Sequence, residues 1–434
     1  MVGKPKKQRI MKKIILMSLL GLMVGSTACE DNKDEFLSDY ATTMYFRNSG
    51  EQQVTCYITG EDTKYNLSVV KAGNDEKALS DAEVSVMDAA QLAVYNSENG
   101  TNYEMLPSNC YEFSTATDLT FAADDAYKLV GVNLKPSNVK ELDKDNYVLP
   151  LVLTSSKQVN EEKNVVFVKP TAVTPTLSMK INESDSHTIS KNGAVISVPL
   201  QLQIDNQWDF QAKVVVDESE TTLDLASFTL ANDGIVDFVA GGNGTLDINI
   251  SALNQVSGKI ALKIESIIGK EFDFDSNVYS IDCVTEAYPL TASMLSSNAV
   301  EPSEGSLANL LDNNVNTYFH SAWSVAVSGA HYVQVNLPEN VKKFGFSYTN
   351  RSSNGNAALA WFNVYGGTDN ENLEVVKFYS WDGDGLPSEA AGKFVSGILE
   401  VDKPVNVLRF ELYNTNWTGG AFFVWSEFKL YVLE

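Results

Sequence analysis

The sequence predicts an all-β chain of consecutive sandwiches, on three observations. Apolar and polar residues alternate with period two in one run after another from about residue 41 onward. Turn residues separate those runs, and helical periodicity is scarce. The chain has 434 residues, too many for one ordinary domain, and its hydrophobic content of 44% can fill several cores in series. That apolar content also excludes wholesale disorder.

In chain order, the first element is not a strand. Lys12 and Lys13 precede an unbroken apolar run, Ile14 to Val24, followed by Gly25, Ser26, Thr27, Ala28 and Cys29. A charged start, a short apolar stretch and small residues before a cut site describe a secretory signal peptide over residues 1–28. The run is shorter than the about 20 apolar residues that span a bilayer. Cys29 is either incidental to an ordinary signal or the lipidated first residue of a mature lipoprotein. The stretch GSTAC resembles a bacterial lipobox, with Ser26 where Leu is commoner. The acidic run Glu30-Asp31-Asn32-Lys33-Asp34-Glu35, within a tether over 29–40, resembles that of Bacteroidetes lipoproteins displayed outside the cell. The resemblance implies an outer-membrane lipoprotein held by a lipid anchor and facing the exterior.

Charge divides the chain in the same place. Lys plus Arg number 32 against 56 Asp plus Glu, a formal charge of −24. Six of the basic residues precede Cys29, which leaves 26 against 56 in the body. With no cation excess to displace counterions, a nucleic-acid partner is not expected. Removing Cys29 leaves Cys56, Cys110 and Cys283, an odd number without CxxC spacing, so no zinc or redox motif is visible. Cys283 shares a strand face with Tyr279 and Ile281, which predicts a buried, inert thiol. Cys56 and Cys110 either pair or stay free.

Two blocks then follow one order. The first runs LVGVNL (129–134), YVLPLVL (147–153) and NVVFV (164–168); the second runs TLDINI (245–250), KIALKI (259–264) and NVYSIDCV (277–284). Each alternating run buries one face and wets the other. The blocks predict two tandem Ig-like sandwiches, over 41–170 and 174–286, with Lys169–Pro175 as a proline-stiffened linker. Pro150 and Pro199 interrupt strand-like runs and predict edge strands. One helix is expected, capped by Asp88 and ending by Gly100. The first block also carries Leu92, Tyr95-Asn96, Gly100-Thr101, Tyr103, Leu106-Pro107 and Tyr111. This string resembles the N-terminal domain of unknown function 1735 of Bacteroidetes surface lipoproteins, which implies a display or spacer module.

The last block, 288–434, holds five of the six tryptophans. Strand faces are evident in HYVQVNL (331–337), KFGFSYT (343–349) and VLRFELY (407–413). The string SLANLLDNNVNTYFHSAW (306–323) and the closing WSEFKLY (425–431) resemble a discoidin-like, coagulation factor 5/8 type C domain of the galactose-binding-like fold, a group that includes carbohydrate-binding modules. Asp312, Asn314, Thr317, Phe319 and Ser321 fall on the family's turn, Asn313 replaces its usual glycine, and Glu427 takes the acidic place in the last strand. In many members this loop holds a structural calcium. Here Asp312, Asn314, Thr317 and Glu427 offer only hard oxygen ligands, although Asn-rich turns also satisfy themselves.

Sugars are read by aromatic faces bordered by amide and charged groups. Loop-like segments supply Trp323, Arg351 with Asn354, Trp381, and Asn416 with Trp417, whereas Trp361 and Trp425 lie in strand patterns and read as core. No GxSxG, HExxH, phosphate loop or dinucleotide fingerprint is present, so no enzyme is expected. The reading is a non-catalytic surface lipoprotein that captures polysaccharide or host glycan for a Bacteroidetes-type uptake system, with outer-membrane uptake proteins as further partners. A protein-binding adhesin or a purely structural spacer are the alternatives; the spacer requires buried tryptophans.

Overall fold

A computed structural model of the chain describes residues 41–73, 78–181, 186–353 and 357–433. The segments expected to be signal peptide and acidic tether, with Cys29 and Asn354, lie outside the described residues. The chain divides into two compact units at Thr174 and Pro175.

Alternation in the first unit resolves into two five-strand layers. One runs in the order Gln158–Val159, Thr43–Phe46, Thr63–Ala72, Tyr127–Leu134, Tyr111–Phe113. The other runs Gly50–Tyr57, Val165–Val173, Tyr147–Thr154, Ser80–Val86, Asp118–Phe121, with Glu104–Met105 appended. Inward residues such as Phe46, Val69, Phe121, Val132 and Leu151 close one core between them.

The second unit opens with the same arrangement, strand for strand. One layer runs Asp273–Phe274, Thr176–Met179, Ala194–Leu202, Gly244–Ile250, Phe228–Leu230, and the other Ser186–Ile189, Tyr279–Thr285, Ser257–Ile268, Phe210–Val216, Ile235–Phe238. In both sandwiches the second strand lies parallel to the last one. The three sequence runs matched between the blocks occupy equivalent strands in the two sandwiches. Cys56, Cys110 and Cys283 are all buried free thiols. Burial pushes the Cys283 thiol up to about 11.

The expected helix is Ala89–Asn99. The Asp88 carboxylate accepts from the Gln91 backbone, the Gln91 side chain accepts from the Asp88 backbone, and Gly100 closes the helix at φ 65°. Leu92 and Tyr95 pack on the outer side of one sheet, where Phe167 lies 4.4 Å from the Tyr95 ring and 5.0 Å from Tyr103. Asn96 ties this corner together. Its amide donates to the Tyr103 carbonyl, and its oxygen accepts from the Thr101 hydroxyl and the Tyr103 backbone.

Two sequence expectations fail here for identifiable reasons. Pro150 and Pro199 lie in interior strands, not on edges. Each sits where a neighbouring strand has ended: the Pro150 carbonyl accepts from Met87, just past Ser80–Val86, and the Pro199 carbonyl from Lys180, just past Thr176–Met179. The missing N–H thus falls beyond the neighbour's ladder. The stretch Lys169–Val173 is not a linker but the end of a strand, in parallel register with Gln53–Tyr57.

The remaining strands form one sheet folded into two layers. Its order is Phe319–His320, Val424–Val432, Tyr332–Asn350, Leu399–Leu412, Trp361–Gly367, Glu374–Ser380, with Leu295–Ser296 and Lys393–Val395 also on Tyr332–Asn350. The 19-residue strand Tyr332–Asn350 makes the fold possible. Its first half pairs with Leu399–Leu412, its second with Val424–Val432, and irregular register near Val341 bends it between them. Phe346 then meets Phe410 at 4.8 Å across the core, and Trp425 is fully buried against Tyr348 at 4.7 Å.

Candidate functional site

The site grows from a loop clamped by one carboxylate. Glu301 is only 2% exposed, yet it accepts from the Trp323 backbone at 2.8 Å, the Ser324 backbone at 3.0 Å, the Ser324 hydroxyl at 2.6 Å and the Ser303 hydroxyl at 2.8 Å. Burial opposes its ionisation, but the bonds from Ser324, Trp323 and Ser303 outweigh that and hold the carboxyl at about 2. The clamp fixes the backbone at Trp323 and turns the indole outward, 53% exposed.

A second carboxylate fixes the ring itself. Glu304 accepts the Trp323 indole N–H at 2.9 Å and the Tyr318 hydroxyl at 2.8 Å. Its carboxyl is held below the usual range by the Tyr318 hydroxyl, against the pull of burial, with help from the Trp323 indole N–H and the Arg351 charge. Gly305 makes the approach possible. At φ +73° it favours glycine, and a Cβ there would fall 2.7 Å from the His320 backbone nitrogen.

His320 and Arg351 complete the cluster. The imidazole is 5% exposed, and its Nδ1 lies 2.7 Å from the Ser321 carbonyl. A carbonyl only accepts, so Nδ1 carries the hydrogen and the neutral ring keeps a lone pair on Nε2. That nitrogen lies 3.9 Å from Glu304, and the ring is flanked by Phe422 at 5.7 Å and Trp323 at 6.5 Å. The Arg351 guanidinium sits 4.4 Å over the Tyr318 ring, with Nε donating to Ser353. One exposed indole, a carboxylate, an imidazole and a guanidinium therefore converge on one loop surface. They combine an apolar face with donors and acceptors at its border. A recess of about 490 Å³ between Glu374–Val376 and Glu400–Val405 contains none of them.

Sequence reasoning selected Trp323 and Arg351 but missed Glu304, Tyr318, His320 and Phe422. A histidine three residues before an exposed tryptophan, with Glu-Gly shortly upstream, was the available signal. The other selected residues lie in a different group. Trp381, 45% exposed, stands 5.1 Å from Trp417, whose indole N–H donates to the Leu359 carbonyl. Asn416 requires correction as a ligand contact. It is 2% exposed, with its amide on the Phe422 carbonyl and its oxygen accepting from Thr418 and Gly420. Trp361 is half-buried, not core.

The expected metal turn forms a third group. Asn313 adopts φ 56°, as a glycine replacement there requires. Asp312 accepts from the Asn314 backbone at 2.9 Å and the Thr317 hydroxyl at 2.6 Å. Glu427 is buried nearby with no partner on Oε1. Burial and then the Asp312 charge push its carboxyl up. Two facing carboxylates and an orphaned oxygen fit a hard cation. Among the described residues there is no group of three or more acidic, His or Cys side chains of metal-binding geometry.

Comparison with known proteins follows these boundaries. Residues 291–428 match the F5/8 type C domain family, and residues 40–160 match a family described as a "-like, N-terminal domain". No curated protein matches the chain. Among solved structures, CBM32-3 from a family 31 glycoside hydrolase of Clostridium perfringens is 19% identical, covering 33% of this chain and 94% of its own, with a TM-score of 0.28. A family 32 carbohydrate-binding module from Clostridium perfringens NanJ, in complex with galactose, is 18% identical over 32% of this chain and 94% of its own, at 0.25. A two-domain protein of unknown function from Bacteroides fragilis covers 93% of this chain and 100% of its own, at 13% identity and 0.25.

Proposed function

We propose that the chain is a non-catalytic glycan-binding lipoprotein of a Bacteroidetes-type cell surface. Cys29 carries the lipid, the two Ig-like sandwiches act as a stalk, and the C-terminal domain captures polysaccharide or host glycan for uptake. The observation that carries the reading is the exposed Trp323 indole, locked by Glu301 and Glu304 beside His320 and Arg351. A pyranose stacks its C–H face on the indole while hydroxyls donate to Glu304 and His320 Nε2 and accept from Arg351. Because these partners are already fixed, little side-chain freedom is lost on binding. The match to the F5/8 type C family, and the galactose named for one similar module, support a galactose-bearing glycan.

Asp312, Asn314, Thr317 and Glu427 would hold a structural calcium, which would neutralise the facing carboxylates and stiffen the turn. Affinity electrophoresis of the chain lacking residues 1–29, against a polysaccharide panel, tests the glycan reading. Retardation weakened at least about tenfold in Trp323→Ala supports it, and no retardation by any glycan sinks it. A purely structural spacer needs buried tryptophans, whereas Trp323 and Trp381 are exposed. Exposed Val315 and Val325 are the observation on the side of a protein-binding adhesin; charge reversal at Arg351 that spares protein capture but not glycan retardation separates the two.

A further inference from the structure

The C-terminal domain exposes a second aromatic surface that the Trp323 cluster does not use. Phe378 is 42% exposed, Trp381 45% and Tyr413 53%. Strand register accounts for their meeting. Trp361 pairs with Ser380, and the Tyr413 backbone donates to the Trp361 carbonyl, so three neighbouring strands deliver aromatic side chains to one row. The Phe378 and Tyr413 rings meet edge to face at 5.3 Å, across the strand carrying Asn363, which is in register with both Phe378 and Glu411. Trp381, next after the strand end at Ser380, forms a neighbouring aromatic pair with Trp417 at 5.1 Å.

We propose that Phe378, Trp381, Tyr413 and Trp417 form a second glycan platform, which takes neutral pyranose units and makes this domain bivalent toward a polymer. The inference rests on the glycan reading above. Three arguments choose this occupant. Trp, Tyr and Phe present flat C–H-stacking faces at a small cost in side-chain entropy. With Lys377 tied to Asp384 and Arg409 to Glu411, exposed Asp382 leaves the border net acidic, so it disfavours anionic glycans. A second copy of a chain carrying −24 is repelled for the same reason.

The two surfaces are joined by one loop. Asn416 binds the Phe422 carbonyl on one side and Thr418 and Gly420 on the other. The same short segment therefore presents Trp417 to Trp381 and Phe422 to His320. A polymer held at both surfaces gains from effective concentration without any new contact.

The test uses the chain lacking residues 1–29, with galactose, pectic galactan, arabinogalactan and gastric mucin as probes. Trp323→Ala is expected to lose binding of galactose in calorimetry yet keep weak retardation by a polymer, about tenfold or more below the parent. Adding Trp381→Ala and Tyr413→Ala is expected to remove that residue, with near-ultraviolet dichroism confirming the fold. If Trp323→Ala alone removes all polymer retardation, the second platform is refuted and the first site stands. Residual retardation surviving in the triple variant refutes it as well. A parent retarded by none of the polymers overturns both readings.

Discussion

Replacing Trp323 by alanine isolates the binding contribution from stability. The indole is 53% exposed, and its backbone position is set by Glu301 rather than by its own packing. Truncation therefore removes a contact face while leaving the loop clamped. A well-ordered tryptophan at a binding hot spot is worth about 2 kcal/mol or more. At 1.4 kcal/mol per decade, that is a loss of about 30-fold in affinity. Glu301→Gln tests the other half of the argument. The amide keeps the shape but presents one acceptor where two backbone N–H groups and two hydroxyls converge. The ring then has to be ordered on binding, at about 0.5–1.5 kcal/mol, a loss of roughly two- to twelvefold. Calorimetry on the best retarding glycan measures both, and urea melts track stability. Wild-type affinity in Trp323→Ala, or a loss matched by global unfolding, would refute the locked-platform reasoning.

Acid should act on the same clamp. Glu301 is held at about 2 against an ordinary 4.5, so its contribution is complete above about pH 4.5 and is lost as pH falls towards 2. Trp323 fluorescence should change in that window, and Glu301→Gln should flatten the change. Gly305→Ala places a Cβ against the His320 backbone at positive φ and should destabilise by more than about 1 kcal/mol, read by thermal melting, with glycan binding lost in parallel. Asn96→Ala removes three hydrogen bonds at the helix corner and should cost about 1–3 kcal/mol in urea unfolding, without touching glycan affinity. Millimolar calcium should raise the melting temperature of the parent and leave that of Glu427→Gln unmoved, since the orphaned Oε1 is the proposed ligand.

Local chemistry wrote itself plainly into the sequence, and non-local closure did not. Strand faces such as Val130-Val132-Leu134 and the Asp88 to Gly100 helix follow from side-chain period and capping, which depend on neighbours in the chain. Asn313 was legible for the same reason, because positive φ selects among few residues. The prolines were misread because a missing N–H matters only opposite a neighbour, and where that neighbour stops is a tertiary fact. The site shows the same divide. Trp323 was recognisable by type and surroundings, but its partnership with Glu304 depends on a loop folding back through Gly305. Asn416 has a polar, loop-like context yet is spent inside the loop, where its amide satisfies the backbone.

The shared strand order of the two sandwiches has a mechanical meaning. Parallel pairing of an early strand with the last one sends the chain in at one end of each sandwich and out at the other. Tension along the chain then pulls the paired strands past each other in shear, so their hydrogen bonds resist together instead of opening one by one. Gly50–Tyr57 is in register with Val166–Val173 over eight residue pairs, and Ser186–Ile189 with Asp282–Thr285 over four. Drag on a captured polymer would meet its stiffest resistance in the first sandwich, with the second as the weaker link.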